Sequence, residues 1–198
     1  MPASAKAAAD RVVLPAFAIG EYSQGFGYGG RSSFVYCRQN LQMTDRDFME
    51  QAIRLAREGM EAGMGGPFGA VVVRQGHVIG QGQNRVLADS DPTAHAEMVA
   101  IRAACEHLGH FQLEGCTLYT SCEPCPMCLG AIYWARPGRL VYACGRADAS
   151  AVGFDDGFIY EELDKHHSDR HIPTQQLLRD KAWATMQAWA NKTDKIQY

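Results

Sequence analysis

The sequence has no apolar run that approaches the roughly eighteen residues needed to span a bilayer, and its N-terminus lacks a charged-then-apolar signal pattern. It also lacks any dense run of lysine or arginine, and its formal net charge is only -3. Such a surface has no long-range attraction for a polyanion, so nucleic acid is a disfavoured partner. We therefore expect a folded, cytoplasmic protein with no membrane segment.

The number of cysteines is odd, whereas a framework of intramolecular disulfides needs an even number. There are seven of them, and three follow CxxCxxC spacing between Cys122 and Cys128. In a reducing compartment this pattern indicates metal binding combined with buried thiols. The cysteines outside the cluster that we expect in the core are Cys105, Cys116 and Cys144.

The chain of 198 residues suits one domain with a substantial core. Residues 1–42 differ from the rest, because an Ala-rich start and a glycine- and serine-rich stretch show no sustained periodicity. We expect them to form a poorly ordered N-terminal extension. The compact domain is expected to span 43–198, since Thr44 and Asp45 can cap a helix directly after Met43.

Apolar periodicity predicts the first elements of this domain. Steps of three and four predict a helix over Asp45–Ala62. Short β-branched runs over Phe68–Val73 and His77–Gly82 predict a hairpin. The polar stretch Asn84–Ser90 is expected to be a loop.

The second half of the domain alternates helices and strands. A helix is predicted from about Ala94 to His107, with Asp91 as its N-cap and Pro92 in its first turn. The later predictions are strands over Cys116–Thr120 and Arg139–Ala143, and helices over Pro126–Ala135 and Thr174–Asn191. This alternation implies an α/β layer structure with parallel later strands, and the hairpin makes its sheet mixed.

Two short motifs carry the side chains suited to metal chemistry. His95 and Glu97 are predicted near one helix start, while Cys125 lies at another, with Cys128 one turn further on the same face. One histidine and two cysteines leave a tetrahedral zinc with one position for water, whose pKa the metal lowers towards about 7. Glu97 would take the proton of that water instead of binding the metal.

Two other metal sites remain possible from the residues alone. In a closed structural zinc site Cys122 would be the fourth ligand, and Glu97 would then have no role. In an iron–sulfur cluster Cys122, Cys125 and Cys128 would bind iron, but the usual spacing to a fourth cysteine is missing. A catalytic site with one zinc per chain and water as the fourth ligand is therefore the favoured interpretation.

The combination of HxE with PCxxC is the signature of zinc nucleobase deaminases. Over 43–198 the sequence resembles the cytidine deaminase-like superfamily and, within it, the small bacterial guanine deaminases, through Gly65 to Ala70, Asp91 to Glu97 and Thr120 to Cys128. The resemblance implies a three-layer α/β/α sandwich and a role in purine metabolism, by hydrolysis of guanine to xanthine and ammonia with Glu97 as proton shuttle. It also implies a homodimer that exchanges C-terminal segments.

The resemblance further implies how a small purine base would bind. In the segment Gly153 to Tyr160, Asp156 would accept hydrogen bonds from guanine N1 and its 2-amino group and assist proton transfer. A carboxylate suits guanine there because both groups are donors, whereas N1 of adenine is an acceptor. The resemblance also implies that Phe68 stacks on the purine ring and that Asn84 forms a hydrogen bond with its far edge. Ala96 is a further implied substrate contact. Trp134 would form a wall of the binding site, and Tyr198 would cover it as a lid.

Several rival functions share these motifs. A tRNA adenosine deaminase should carry a basic face, whereas the segment from Arg179 to Tyr198 mixes charges and contains Trp183 and Trp189. Deaminases of guanosine or cytosine would need a larger or differently polar pocket. A non-catalytic zinc module, the rival outside the enzymes, would bind metal without turnover.

Overall fold

The computed structural model of the protein describes residues 43–197. The predicted extension over 1–42 and the predicted lid residue Tyr198 lie outside the described residues. Within 43–197 no helix is long and apolar enough to cross a membrane.

Helix α1, Asp45–Glu61, opens the described part of the chain, as the apolar spacing predicted. It begins with a reciprocal cap: the Asp47 N–H donates to the Thr44 hydroxyl, and the Thr44 N–H donates to the Asp47 carboxylate at 2.7 Å. Phe48 and Ala52 lie buried on its inner face. This helix therefore covers one face of the sheet.

The predicted hairpin follows, with strands β1, Gly69–Arg74, and β2, His77–Gln83. Gln75 and Gly76 turn the chain with φ of 51° and 78°, the left-handed conformations that a tight two-residue turn requires. The remaining elements are α2 at Val86–Asp89, α3 at Ala96–Leu108, β3 at Cys116–Cys122, α4 at Pro126–Ala135, β4 at Arg139–Cys144, α5 at Arg146–Ala151, α6 at Gly157–Asp164, a 3-10 turn at His167–Asp169, and α7 at Arg179–Ala190.

The four strands form a mixed sheet in the order β2-β1-β3-β4. Strand β1 pairs antiparallel with β2 and β3, while β3 and β4 are parallel. Side chains alternate along β1, so that Val71 and Val73 pack on the α1 side, while Ala70 and Val72 pack against α3. Helices therefore cover both faces, which confirms the predicted α/β/α sandwich.

Helix α3 lies unusually close to strand β2. A Cβ built on Gly82 would lie 2.4 Å from the Ala96 carbonyl oxygen, and one on Gly80 would lie 2.4 Å from that of Ala100. Only glycine permits such an approach of helix and strand backbones. This packing fixes where the first turn of α3 lies relative to the sheet.

The start of α3 was predicted wrongly. The Asp91 carboxylate accepts the Thr93 N–H and hydroxyl, each at 2.7 Å, and so closes a local turn instead of capping the helix. The helix begins at Ala96 instead of Ala94, and its N-cap is His95. His95 is therefore extended at φ -68° and ψ 156°, outside the first turn where we predicted it.

Three further predictions differ from the structure. The predicted loop over Asn84–Ser90 contains the one-turn helix α2. Helix α7 starts five residues later than Thr174, after Leu178 in a left-handed conformation with φ 56°. Cys144 is exposed instead of buried, since β4 is an edge strand of the described sheet, whereas Cys116 is buried as predicted.

Candidate metal centre and adjoining cavity

The three predicted metal ligands meet at the N-termini of two helices. His95 is the N-cap of α3 and Cys125 the N-cap of α4, and neither side chain makes a capping hydrogen bond to its own helix. Cys128 follows one turn into α4 and is fully buried. The candidate ligand atoms of the three residues lie within 4.8 Å of one another.

The spacing of these atoms fits a zinc ion. His95 Nδ1 lies 3.5 Å from the sulfur of Cys125 and 3.5 Å from that of Cys128. Tetrahedral zinc, with bonds of about 2.3 Å to sulfur and about 2.1 Å to nitrogen, would place such atoms about 3.6 Å apart. One nitrogen and two sulfurs are also a donor set that zinc favours.

The pKa values of the two cysteine thiols are shifted in opposite directions. Hydrogen bonds from the Cys128 thiol and then from His95 lower the pKa of Cys125 to about 4. The pKa of Cys128 is raised, first because its thiol is engaged by Cys125 and second because it is buried. The contact with Cys125 in turn raises the pKa of His95. The two sulfurs and the imidazole therefore lie close enough to compete for the same protons. A bound divalent cation would stabilise the deprotonated forms of all three groups.

Glu97 lies beside this cluster but outside it. Its side chain is buried, at 6% exposure, and this burial raises the pKa of its carboxyl group. The Thr120 hydroxyl donates to one carboxylate oxygen at 3.3 Å, and the Cys128 thiol donates to the other at 3.5 Å. A carboxylate held in this way is ready to exchange protons next to the metal.

Cys122 takes no part in the ligand cluster. Among the described residues the group that could hold a metal consists of His95, Cys125 and Cys128. The Cys122 thiol instead approaches the Gly145 carbonyl oxygen at 3.8 Å, and burial raises its pKa to about 11. The geometry therefore disfavours both a four-ligand structural site and a three-cysteine cluster.

A cavity of about 690 Å³ adjoins the ligand cluster. This volume is in the range of small-molecule sites. Its lining combines His95, Glu97 and Cys125 with polar, charged and aromatic residues from both earlier and later in the chain. These other lining residues include Phe68, Asn84, Glu123, Arg146, Phe154 and Asp156.

Asn84 is buried, and its orientation is set by the backbone. Its amide oxygen accepts the N–H groups of Gly66 and Val86, at 3.3 and 3.2 Å. Because the oxygen serves two backbone donors, the amino end of the same side chain remains as a donor for a group in the cavity. Gly65 makes room for this arrangement, since a Cβ there would lie 2.0 Å from the Asn84 oxygen.

Two aromatic rings form another part of the lining. Phe68 and Phe154 meet edge to face, with ring centroids 4.9 Å apart. A Cβ on Gly66 would lie 2.9 Å from Phe154 and 3.0 Å from Phe68. Both rings also line the cavity, so this contact places two aromatic side chains in its wall.

Asp156 reaches the cavity from the N-cap position of α6. Its carboxylate lies 3.4 Å from Arg146 Nε, and its side chain is 21% exposed. Neither Arg146 nor Phe154 was predicted from the sequence as a site residue. Phe154 could have been found within the GFDD segment, whereas nothing in the pattern around Arg146 distinguishes it from a surface arginine.

Two predicted substrate contacts do not line the cavity of a single chain. Ala96 is fully buried beneath the site in the first turn of α3, and the Trp134 side chain is 64% exposed. The roles of Ala96, Trp134 and Tyr198 in substrate binding therefore stay predictions.

The chain is similar to known deaminases. Residues 42–144 match the family model described as the cytidine and deoxycytidylate deaminase zinc-binding region. Guanine deaminase from Bacillus subtilis (strain 168) is 54% identical over 156 residues, which cover 79% of this chain and 100% of that protein. An X-ray structure of guanine deaminase from that species matches with a TM-score of 0.77 over 79% of this chain and 99% of the other.

More distant relatives include both guanine and tRNA enzymes. A structure of guanine deaminase from Nitrosomonas europaea is 37% identical, with a TM-score of 0.55, over 58% of this chain and 66% of the other. The tRNA-specific adenosine deaminase of Bacillus subtilis (strain 168) is 36% identical over 63% of this chain and 77% of that protein. Identity and coverage are thus both higher for the Bacillus guanine deaminase than for the tRNA enzyme.

Proposed function

Because the chain belongs to the cytidine and deoxycytidylate deaminase zinc-binding family, we propose that it hydrolyses guanine to xanthine and ammonia. One observation carries the choice of guanine: a single cavity is lined both by Glu97 with the candidate metal ligands His95 and Cys125, and by Asp156. A purine whose N1–H and 2-amino group face Asp156 would present donors to a carboxylate. Adenine would present the N1 acceptor to it instead.

His95, Cys125 and Cys128 would hold one zinc ion per chain, with water as the fourth ligand. The ion would supply an activated water at near-neutral pH and polarise the reacting centre. Cys125 and Cys128 would bind as thiolates, for which the low pKa of Cys125 prepares the site.

Glu97 would be the proton shuttle. It would pass one proton from the attacking water to the ring nitrogen next to C2. It would then pass a second proton, from the new hydroxyl group on C2, to the departing amine, which leaves as ammonia. The Thr120 hydroxyl would keep the carboxylate oriented through these steps. The raised pKa of Glu97 suits a group that must both take up and release a proton.

The remaining residues would orient the purine. Phe68 would stack on its ring, the amino group of Asn84 would donate to an acceptor at its far edge, and Asp156 would bind N1–H and the 2-amino group. Ala96 would support the substrate from the start of α3. The volume and the donor and acceptor pattern of the cavity support a small base as the substrate.

The region 43–198 would be the deaminase domain, and we propose that it forms a homodimer with exchanged C-terminal segments. No residue of α7 is buried within one described chain, and Trp183 and Trp189 are 45% and 46% exposed. A second subunit would cover this face and bring Tyr198 and Trp134 to a neighbouring site.

A protein that starts at Met43 is expected to keep its zinc and its activity. The cytoplasmic location stays a prediction.

Ammonia release tests the proposal. The purified protein is offered guanine, guanosine, adenine, cytosine and tRNA in parallel, and guanine is expected to give the highest kcat/KM. A tRNA adenosine deaminase would respond to tRNA alone, and a non-catalytic module to none.

A variant series tests the role of the carboxylate. Asp156→Ala is expected to lower kcat/KM for guanine by at least about 100-fold, because two hydrogen bonds to a charged acceptor are lost. Asp155→Ala is the matched control: this neighbouring residue also lines the cavity, but its carboxylate accepts the Gly157 N–H at 2.9 Å, at the start of α6. It is expected to affect stability more than turnover. Equal losses in the two variants would contradict the assignment of Asp156.

A further inference from the structure

Arg146 connects three parts of the cavity wall. It is the first residue of α5, and its backbone N–H donates to the Glu123 carboxylate at 3.2 Å, at the end of β3. Its guanidinium lies over the Tyr160 ring, 3.9 Å from the ring centroid. Its Nε lies 3.4 Å from Asp156 Oδ1. Arg146 thus contacts, through its backbone and its side chain, the end of β3 and helix α6 from the start of α5.

The Nε–H of Arg146 is an unused donor at a buried point. The Nε atom is inaccessible to solvent and is without a hydrogen-bond partner among the described residues. Its separation from Asp156, 3.4 Å, is about 0.5 Å longer than a charge-assisted hydrogen bond. A buried donor without a partner costs free energy, which is regained if the carboxylate moves closer.

The surroundings of Arg146 determine whether this residue or Asp156 would move to form a hydrogen bond at Nε–H. The guanidinium carbon lies 3.9 Å from the Tyr160 ring centroid, and this cation–π contact restrains the group at the cavity wall. The backbone anchor to Glu123 prevents Arg146 itself from following the loop. Asp156, the N-cap residue of α6, is therefore the partner that would have to move for the hydrogen bond to form.

We propose that Arg146 is the positioning residue for Asp156, and that their hydrogen bond closes when a purine with adjacent donors occupies the cavity. The inference rests on the proposed function for the identity of that purine. A carboxylate has about four lone-pair positions, so it accepts Nε–H while two substrate donors use other positions. Arg146 thereby selects bases that present donors and disfavours bases that present an acceptor to the ionised carboxylate.

A double-mutant cycle separates this role from simple support of the fold. Arg146→Met, Asp156→Asn and the double variant are compared with the wild type by kcat/KM for guanine. If Arg146 acts through Asp156, Arg146→Met lowers kcat/KM by about 10-fold or more alone, and by less than about twofold in the Asp156→Asn background. Independent, multiplicative losses would overturn the inference.

Two further variants sharpen the test. Arg146→Lys keeps the charge but loses the planar group. It is therefore expected to recover less than half of the decrease in log(kcat/KM) that Arg146→Met causes. Full recovery would show that the charge alone suffices. Arg139→Met is the matched control, because Arg139 pairs with Asp45 outside the cavity. It is expected to lower Tm and leave kcat/KM for guanine within about twofold of wild type. An equal loss of activity in this control would overturn the assignment to Arg146.

A second readout does not depend on guanine. The Tm of the four zinc-loaded proteins of the cycle is expected to be non-additive, because each single variant already breaks the same contact. Additive Tm losses would overturn the contact itself. If the wild type releases no ammonia from guanine, the proposed function fails and the substrate-selecting part of the inference fails with it, while the Tm cycle still decides whether Arg146 positions Asp156.

Discussion

Thr120 on β3 donates a hydrogen bond of 3.3 Å to Glu97 on α3, across the layer between sheet and helix. Both side chains are buried, with exposures of 1% and 6%. A buried carboxylate keeps one orientation only if its oxygens have fixed donors. The orientation of the proposed proton shuttle thus depends on a sheet residue that binds neither metal nor substrate.

Thr120→Val tests this dependence. Valine has nearly the same shape as threonine but leaves one oxygen of Glu97 without its donor, so we expect kcat to fall about 10-fold with little change in KM, equivalent to about 1.4 kcal/mol. Steady-state kinetics with zinc analysis provides the measurement. Thr117→Val, three residues earlier on the same strand and outside the cavity lining, serves as control. A Thr120→Val enzyme with normal kcat would show that the hydroxyl is dispensable.

The local part of the site was predictable from the sequence, because its ligands lie at short sequence spacings. Cys125 and Cys128 are one helical turn apart, and His95 and Glu97 flank one helix start. The exact start of α3 was missed, since Asp91 has a nearer partner in Thr93 than the helix it could have capped.

The long-range part of the site could not be derived from periodicity. Asn84 depends on two backbone donors, one of them eighteen residues earlier at Gly66. Arg146 depends on Asp156 and on an aromatic ring on the following helix. Such contacts arise only when the chain has folded, so resemblance to a family could point to Asp156, but no pattern pointed to Arg146.

Gly65→Ala is expected to damage the substrate end of the cavity. The new methyl group would overlap the Asn84 oxygen, so the side chain must leave its two backbone donors. We expect a KM for guanine raised about 10-fold or more and a Tm that falls by several degrees, because buried donors lose their partner.

Gly130→Ala provides the control for that substitution. Gly130 lies inside α4, where a Cβ would meet nothing within 4 Å. Alanine in a helix interior is favoured over glycine by about 1 kcal/mol, so Tm should stay equal or rise while KM is unchanged. If Gly65→Ala behaved like this control, the tight fit around Asn84 would be refuted.

Asp45 is expected to make stability depend on pH. Arg139 and then the Tyr119 hydroxyl, at 2.6 Å, hold the pKa of Asp45 below its usual value of 3.8. A carboxyl group with a lowered folded-state pKa stabilises the protein above its unfolded-state pKa, and this contribution is lost as the pH falls through the folded-state pKa. Burial and Asp45 raise the pKa of Tyr119 from 10.0 to about 12, so its contribution is complete below pH 10 and is lost as the pH rises towards 12.

Asp45→Asn is therefore expected to lower Tm most between about pH 4 and pH 10, with the difference from wild type shrinking below pH 4. Thermal unfolding across this range measures the effect. Asp180→Asn is the control, since that carboxylate is 95% exposed and pairs only with the neighbouring Arg179 among the described residues. A Tm difference for Asp45→Asn that stayed constant from pH 7 to pH 3 would contradict the assignment.

Cys122 and Cys125 should differ sharply in their importance for zinc, although both belong to the same CxxCxxC run. Cys125 lies 3.5 Å from His95 Nδ1, whereas the Cys122 thiol approaches a backbone carbonyl oxygen at 3.8 Å. In Cys125→Ser zinc per chain is expected to fall well below one, with activity lost in parallel. Cys122→Ser should retain about one zinc and most of its activity, at some cost in Tm for a buried hydroxyl. Elemental analysis after dialysis against a mild chelator gives the comparison. Equal zinc loss in both variants would mean a closed four-ligand site, in which no position is left for the water that hydrolysis requires.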